Sequence, residues 1–197
     1  MNQTQIKIIQ ETVGTEPDGF FGPRSIVAVQ RHLRMLMPKS HPWPMTDQQS
    51  LTEFYGPPGG VGSSWDLVQI PVPYKMYLYN GPQTVRTIGV HEKLATSLER
   101  VLKELGKRYK TDEDRTVAGI NRFYGVYNNR KMRGGSLPSL HARAAAIDFD
   151  MPRNGLHTAW PTRAHMPLDV MECFAYEGWL PAGAFWGRDA MHFQATA

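Results

Sequence analysis

Two short segments hold the residues of this 197-residue chain best suited to chemistry: Ser139-Leu140-His141-Ala142-Arg143-Ala144-Ala145-Ala146-Ile147-Asp148, and Asp189-Ala190-Met191-His192. His141, Asp148 and His192 offer two imidazoles and a carboxylate, a donor set suited to one zinc ion. A catalytic zinc takes three protein ligands of N/O type and keeps a fourth position for water. It also needs a base for the proton of that water. Asp189 is a spare carboxylate close to the last histidine. Residues of these types point to metal-assisted hydrolysis. The spacing of His141 and Asp148 is not the i,i+4 helical pair of a zincin, and no H-E-x-x-H occurs in the chain.

Those side chains have to be presented by strands. Asp148 lies between Ile147 and Phe149, and His192 between Met191 and Phe193. On a strand, neighbours alternate between faces, so each polar residue points away from its apolar flanks. Residues 145–150 therefore read as a buried strand and residues 190–194 as a last short one. A lone carboxylate buried in a strand is costly without a strong partner, and a metal is such a partner. Ser139 reads as a residue that holds the site together, because no G-x-S-x-G and no serine-triad motif accompany it. His32, His41, His91, His157 and His165 read as ordinary histidines. Trp160 and Trp179 read as core, whereas Trp186, close to Asp189, is a candidate to line the cleft.

Composition narrows the class. The hydrophobic fraction is 41%, which argues against disorder. No apolar run reaches the roughly 18 residues of a membrane span. Residues 1–7 show neither the basic nor the apolar region of a secretory signal. The single cysteine, Cys173, forms no intrachain disulfide and reads as inert core, which suits a reducing compartment. The net charge of +4 is mild and would modestly favour an anionic partner. No nucleic-acid motif or aromatic-and-basic stripe is present.

The remaining segments supply the frame. Ile6, Ile9, Gln10 and Val13 recur at helical spacing before Gly14. After a Gly/Pro-rich turn, Pro23 opens a second helix whose expected buried stripe is Ile26, Val29, Leu33 and Leu36. Residues 38–66 are rich in proline and glycine and read as a connector with one short helix near 46–54. Residues 67–87 read as short extended pieces, with Pro71 and Pro73 arguing against a central strand. Residues 88–109 read as the clearest helix, followed by an acidic turn and a strand over 117–127. Residues 132–136 form a glycine-bearing loop, and 167–176 a helix. Helices against a small, mainly antiparallel sheet give an α+β class. The expected division is a helical module over 1–40, a connector over 41–66 and a catalytic domain over 67–197.

Two resemblances follow from these motifs. Gln10, Asp18-Gly19-Phe20-Phe21-Gly22-Pro23 and Ala28-Val29-Gln30 resemble the peptidoglycan-binding helical repeat found beside wall hydrolases. Ser139, His141, Ala144, Ala146 and Asp148, followed by Asp189 and His192, resemble the M15 family of zinc peptidases over roughly residues 65–194. The segment Tyr127–Gly135 resembles the arginine-bearing loop of its phage members, and Gly178-Trp179 also fits. The resemblance implies zinc bound by His141, Asp148 and His192, with Asp189 as general base and later acid. It implies Arg130 as the group that steadies the oxyanion or grips a substrate carboxylate, with Arg133 as its competitor; Ser139 and Trp186 would help shape the substrate site. It further implies a monomeric endolysin that cuts the peptide stem of bacterial peptidoglycan, by preference at the L-alanyl-D-glutamate bond. Such a protein would wait in the host cytoplasm and reach the wall through a lesion made by a holin-type partner. A D-alanyl-D-alanine carboxypeptidase is the alternative activity, and a non-catalytic wall-binding protein with a structural zinc the alternative class. The chain departs from the family at Ala144, where the pattern has glycine. If that position has φ > 0, alanine strains the loop by about 1 kcal/mol or more.

Overall fold

The computed structural model describes all 197 residues, Met1–Ala197. The N-terminal part is helical: α1 (Gln3–Thr12), α2 (Pro23–Leu36) and α3 (Gln48–Tyr55). Then follow β1 (Leu67–Pro71), β2 (Tyr77–Leu78), β3 (Thr87–His91), α4 (Ala95–Arg108), α5 (Asp112–Ala118) and β4 (Arg122–Gly125). The last part comprises β5 (Ala146–Phe149), α6 (Met151–Asn154), α7 (Leu168–Tyr176), β6 (Leu180–Pro181), α8 (Ala182–Trp186) and β7 (His192–Gln194). Short 3-10 turns at Glu92–Leu94 and Leu140–Arg143 precede α4 and β5. The class is α+β, as expected. A five-stranded sheet runs in the order β2-β4-β5-β7-β6, antiparallel except for the β2–β4 pair, and β1 and β3 form a separate antiparallel ribbon. No helix is long and apolar enough to cross a membrane.

The first two helices are joined by a turn built around a buried side chain. Gln10 donates to Asp18 Oδ1, Phe20 O and Ser25 Oγ, and its own carbonyl accepts from Gly19 N–H. One glutamine thus satisfies four partners and sets the angle between α1 and α2. Ser25 is consequently buried, and the inward stripe of α2 is Ser25, Ala28, Val29 and Leu33. The expected stripe is corrected at one position: Ile26 is exposed, because the demand of Gln10 turns the helix so that Ser25 faces inward. Val29 and Leu33 pack towards α7 and α8 and belong to the same hydrophobic core as the sheet.

The Pro/Gly-rich stretch before β1 does more than connect. Leu51, Tyr55 and Trp65 all enter the core, and the Tyr55 hydroxyl donates to Ala195 O across the molecule. Two further expectations change. The helix expected over 88–109 begins only at Ala95, because Thr87–His91 pairs with β1 and His91 then caps the 3-10 turn by accepting from Lys93 N–H. The strand expected over 117–127 begins only at Arg122. Before it, the acidic segment forms α5, opened by a capping box between Thr111 and Asp114 and by three carboxylates at its positive end. Behind the sheet, Phe149, Phe174 and Phe193 form one aromatic group, with Phe174 stacked on Phe193 at 4.0 Å. That group anchors β5 and β7 from one side and leaves their polar residues to face the other.

Candidate metal centre

Strand register brings two of the candidate residues together. Asp148 on β5 lies directly opposite His192 on β7, so both side chains leave the same face of the sheet. His141 arrives from the 3-10 turn just before β5. Ser139 starts that turn, its hydroxyl accepting from His141 N–H at 3.3 Å. Ala144 ends it with φ 50 and ψ 33. Position 144 is therefore left-handed, and the expected alanine strain is present. The turn is also clamped from outside. Gly59 N–H donates to Ala142 O at 2.7 Å, and the Arg143 guanidinium donates to Gly56 O and Thr52 Oγ1.

The three side chains converge. His192 Nδ1 lies 2.9 Å from Asp148 Oδ1, His141 Nε2 lies 3.2 Å from Asp148 Oδ2, and the two imidazole nitrogens are 3.3 Å apart. All three residues are buried. Donors around a tetrahedral zinc with bonds of roughly 2.0–2.2 Å sit about 3.3 Å from one another. The separation of the two imidazole nitrogens matches one edge of such a tetrahedron, and each imidazole meets a different oxygen of the Asp148 carboxylate, with one ligand atom from each residue lying within 4.8 Å of the others. The nitrogens also present the correct atoms. The His141 Nδ1–H donates to Val126 O at 2.7 Å, which leaves Nε2 with a free lone pair. The His192 Nε2–H donates to Gln194 Oε1 at 3.1 Å, so the neutral ring presents the Nδ1 lone pair to Asp148 and to any cation between them. Two imidazole nitrogens and a carboxylate aimed at one point favour positive charge there, which a proton or a cation can supply. His141, Asp148 and His192 form a group that can hold a metal ion.

Electrostatics agree with the geometry. Burial would raise the Asp148 pKa, but the two imidazoles outweigh it and hold the carboxyl well below the usual range. Burial would lower that of His192, yet the bond to Asp148 prevails and moves it up. Asp189 behaves differently. Burial pushes its carboxyl up, Asp148 adds to the effect, and His192, His141 and Arg133 act against it. Its Oδ1 is buried and has no hydrogen-bond partner. Asp189 has φ 59, and its carbonyl accepts from His192 N–H at 2.9 Å, a turn that explains the D-x-x-H spacing. The spare carboxylate is thereby held beside the ligands.

These groups line a cleft of about 180 Å³, together with Ser139, Arg130, Arg133 and Trp186. Trp186 is half exposed and stacks on the His192 ring at 5.6 Å, so it forms a wall of the cleft. Trp160 and Trp179 are core, and Cys173 is buried with its thiol pushed up to about 12, chiefly by burial. Arg130 and Arg133 project from the loop between Val126 and Ser139. The Arg130 side chain makes one hydrogen bond, to Lys131 O, and neither arginine forms an ion pair. Two further residues of this cleft escape sequence reasoning. Arg188 was detectable only as the neighbour of Asp189, and Gln194 only as the residue two beyond His192 on the same strand face. Comparison of the chain with protein-family models, with curated proteins and with solved structures finds no match.

Proposed function

We propose that the protein is a zinc peptidase that hydrolyses the peptide stem of bacterial peptidoglycan, in the manner of a phage endolysin. The observation that carries the reading is Asp189, a buried carboxylate with an unpartnered oxygen beside a two-histidine, one-aspartate site. A purely structural metal would not need it. A zinc ion bound there supplies a Lewis acid and lowers the pKa of its water towards about 7. His141, Asp148 and His192 would be its ligands. Asp189, raised by burial, is suited to take a proton from that water and to return it to the departing amine. Arg130, Arg133 and Arg188 offer charge to an anionic substrate, and a guanidinium can grip a carboxylate with two bonds. Trp186 supplies an apolar wall. Ser139 positions His141 and takes no part as a nucleophile.

The favoured bond is L-alanyl-D-glutamate, with D-alanyl-D-alanine carboxypeptidase activity as the alternative. The module over residues 1–40 would hold the wall, and a holin-type partner would give access to it. Mass spectrometry of muropeptide digests tests the reading. New N-terminal D-glutamate supports the endopeptidase, and released D-alanine the carboxypeptidase. Intact muropeptides after incubation with zinc-loaded protein would refute both.

A further inference from the structure

The two histidines of the site face the metal position with different nitrogens. His141 uses Nε2 because the backbone carbonyl of Val126 takes the proton on Nδ1. His192 uses Nδ1, and the group that takes its other proton is a side chain, Gln194 Oε1 at 3.1 Å. Gln194 is buried. Its amide nitrogen donates to Thr196 Oγ1 at 2.7 Å, and Thr196 is buried too. Amide orientation matters here. With the oxygen towards His192, the imidazole must carry a proton on Nε2, and in the neutral ring Nδ1 is then free for a cation. With the amide reversed, an N–H would face Nε2, the proton would move to Nδ1, and the lone pair needed by a metal would be lost.

We propose that Gln194, steadied by Thr196, is the positioning residue that fixes the tautomer of His192 and so presents Nδ1 to the metal. The inference rests on the reading that His141, Asp148 and His192 bind zinc. Neither Gln194 nor Thr196 belongs to the three-residue ligand group; both act on it through the imidazole. Outer partners of metal-bound histidines commonly change affinity by about 10- to 100-fold.

The test is the zinc dissociation constant of the full chain, measured by competition with a chromophoric chelator, together with the ¹⁵N shifts of the His192 ring in the zinc-loaded protein. Wild type is expected to bind one zinc and to show a protonated Nε2. Gln194→Leu, which keeps the volume but removes the acceptor, is expected to weaken zinc by about 10- to 100-fold and to mix the tautomers. Gln194→Glu keeps an acceptor towards Nε2 and is expected to lose less than the roughly 10-fold minimum set for Gln194→Leu, because an oxygen still faces that nitrogen. Thr196→Val should lie between them. If Gln194→Leu fails to fold, Thr196→Val carries the same comparison. Unchanged zinc affinity in a folded Gln194→Leu or, failing that, in Thr196→Val would overturn the inference and leave the zinc site standing. Absence of zinc binding in wild type would overturn both. A merely structural role would lower Tm and leave affinity and ring shifts where they were.

Discussion

Stripping the protein of divalent cations and refilling it with zinc is expected to change both its Tm and the pH slope of its stability. A ligand that binds only the folded state adds about 4.1 kcal/mol when free at a thousand times its Kd. For a chain of 150–250 residues each kcal/mol moves Tm by roughly 2–4 °C, so saturating zinc should raise it by about 8–16 °C. The metal-free protein has its own pH signature. Asp148 holds the His192 proton against burial, so the folded state keeps this proton above pH ~6.5, where the unfolded chain has released it. The folded state then binds more protons than the unfolded one, and stability falls as pH rises through the folded pKa of His192, by up to about 1.4 kcal/mol per pH unit. Asp148 acts at the other end. Its pKa is depressed, so its contribution is present above pH ~3.9 and is lost as pH falls through the folded value. Zinc displaces the His192 proton, so the loaded protein escapes the upper loss, and the gap between the two forms widens from pH 6 to pH 8. Differential scanning calorimetry with and without zinc at three pH values reads both quantities. A gap that stays constant with pH, or an undiminished zinc shift in Asp148→Asn, would refute the reasoning.

Asp189→Asn keeps a residue that tolerates the left-handed backbone; it is expected to retain zinc but to lose about 10²- to 10⁴-fold in muropeptide hydrolysis, read by chromatography of digests. Ala144→Gly relieves about 1–2 kcal/mol of left-handed strain but gives up a buried methyl worth about 0.8 and gains unfolded-state freedom worth about 0.4–1; urea denaturation should place it within about 1 kcal/mol of wild type. Leu33→Ala should cost about 2–5 kcal/mol in a single cooperative transition, because Leu33 is fully buried in the core shared with the sheet; a separate early transition in circular dichroism would mean that α1 and α2 fold on their own. Cys173 should resist thiol reagents at pH 8 in the folded protein and react once it is denatured, since burial keeps the thiol protonated.

What could be read from the sequence had a local cause. The alternation around Asp148 and His192 marks two strands whose polar residues share a face, and Pro23 and Gly14 mark helix ends where the backbone uses them. The errors have equally definite causes. The helical period that starts at Leu94 does not reach back over residues 88–91, where Ile88 and Val90 pair with β1 instead. The T-x-x-D box at Thr111 reads as a turn but opens a helix. The Pro/Gly-rich stretch hid Leu51, Tyr55 and Trp65, which are spaced too irregularly for periodicity and are buried only by tertiary packing. Gln194 gains meaning from the β5–β7 register, which joins residues more than forty apart and leaves no short-range signal.

The backbone itself marks the same site. Left-handed φ occurs at three non-glycine residues, Ala144, Asp150 and Asp189. Ala144 ends the turn that carries His141, Asp150 follows the strand that carries Asp148, and Asp189 begins the turn that carries His192. Aspartate tolerates this conformation better than alanine, and Asp150 is further held by Arg153 and Asn154. Ala144 has no such help and costs about 1 kcal/mol or more. Each unusual residue thus sits beside a different member of the group that can hold a metal. Strain placed this way persists when the surroundings over-determine it, and here the surroundings are the Gly59 and Arg143 clamps on one side and the paired strands on the other. The fold spends stability to hold three donors within 4.8 Å of one another, with an unpaired carboxylate beside them. Asp189 lies outside the three-residue group, and the proposed hydrolysis rests on its unpaired oxygen together with its place in the cleft beside them.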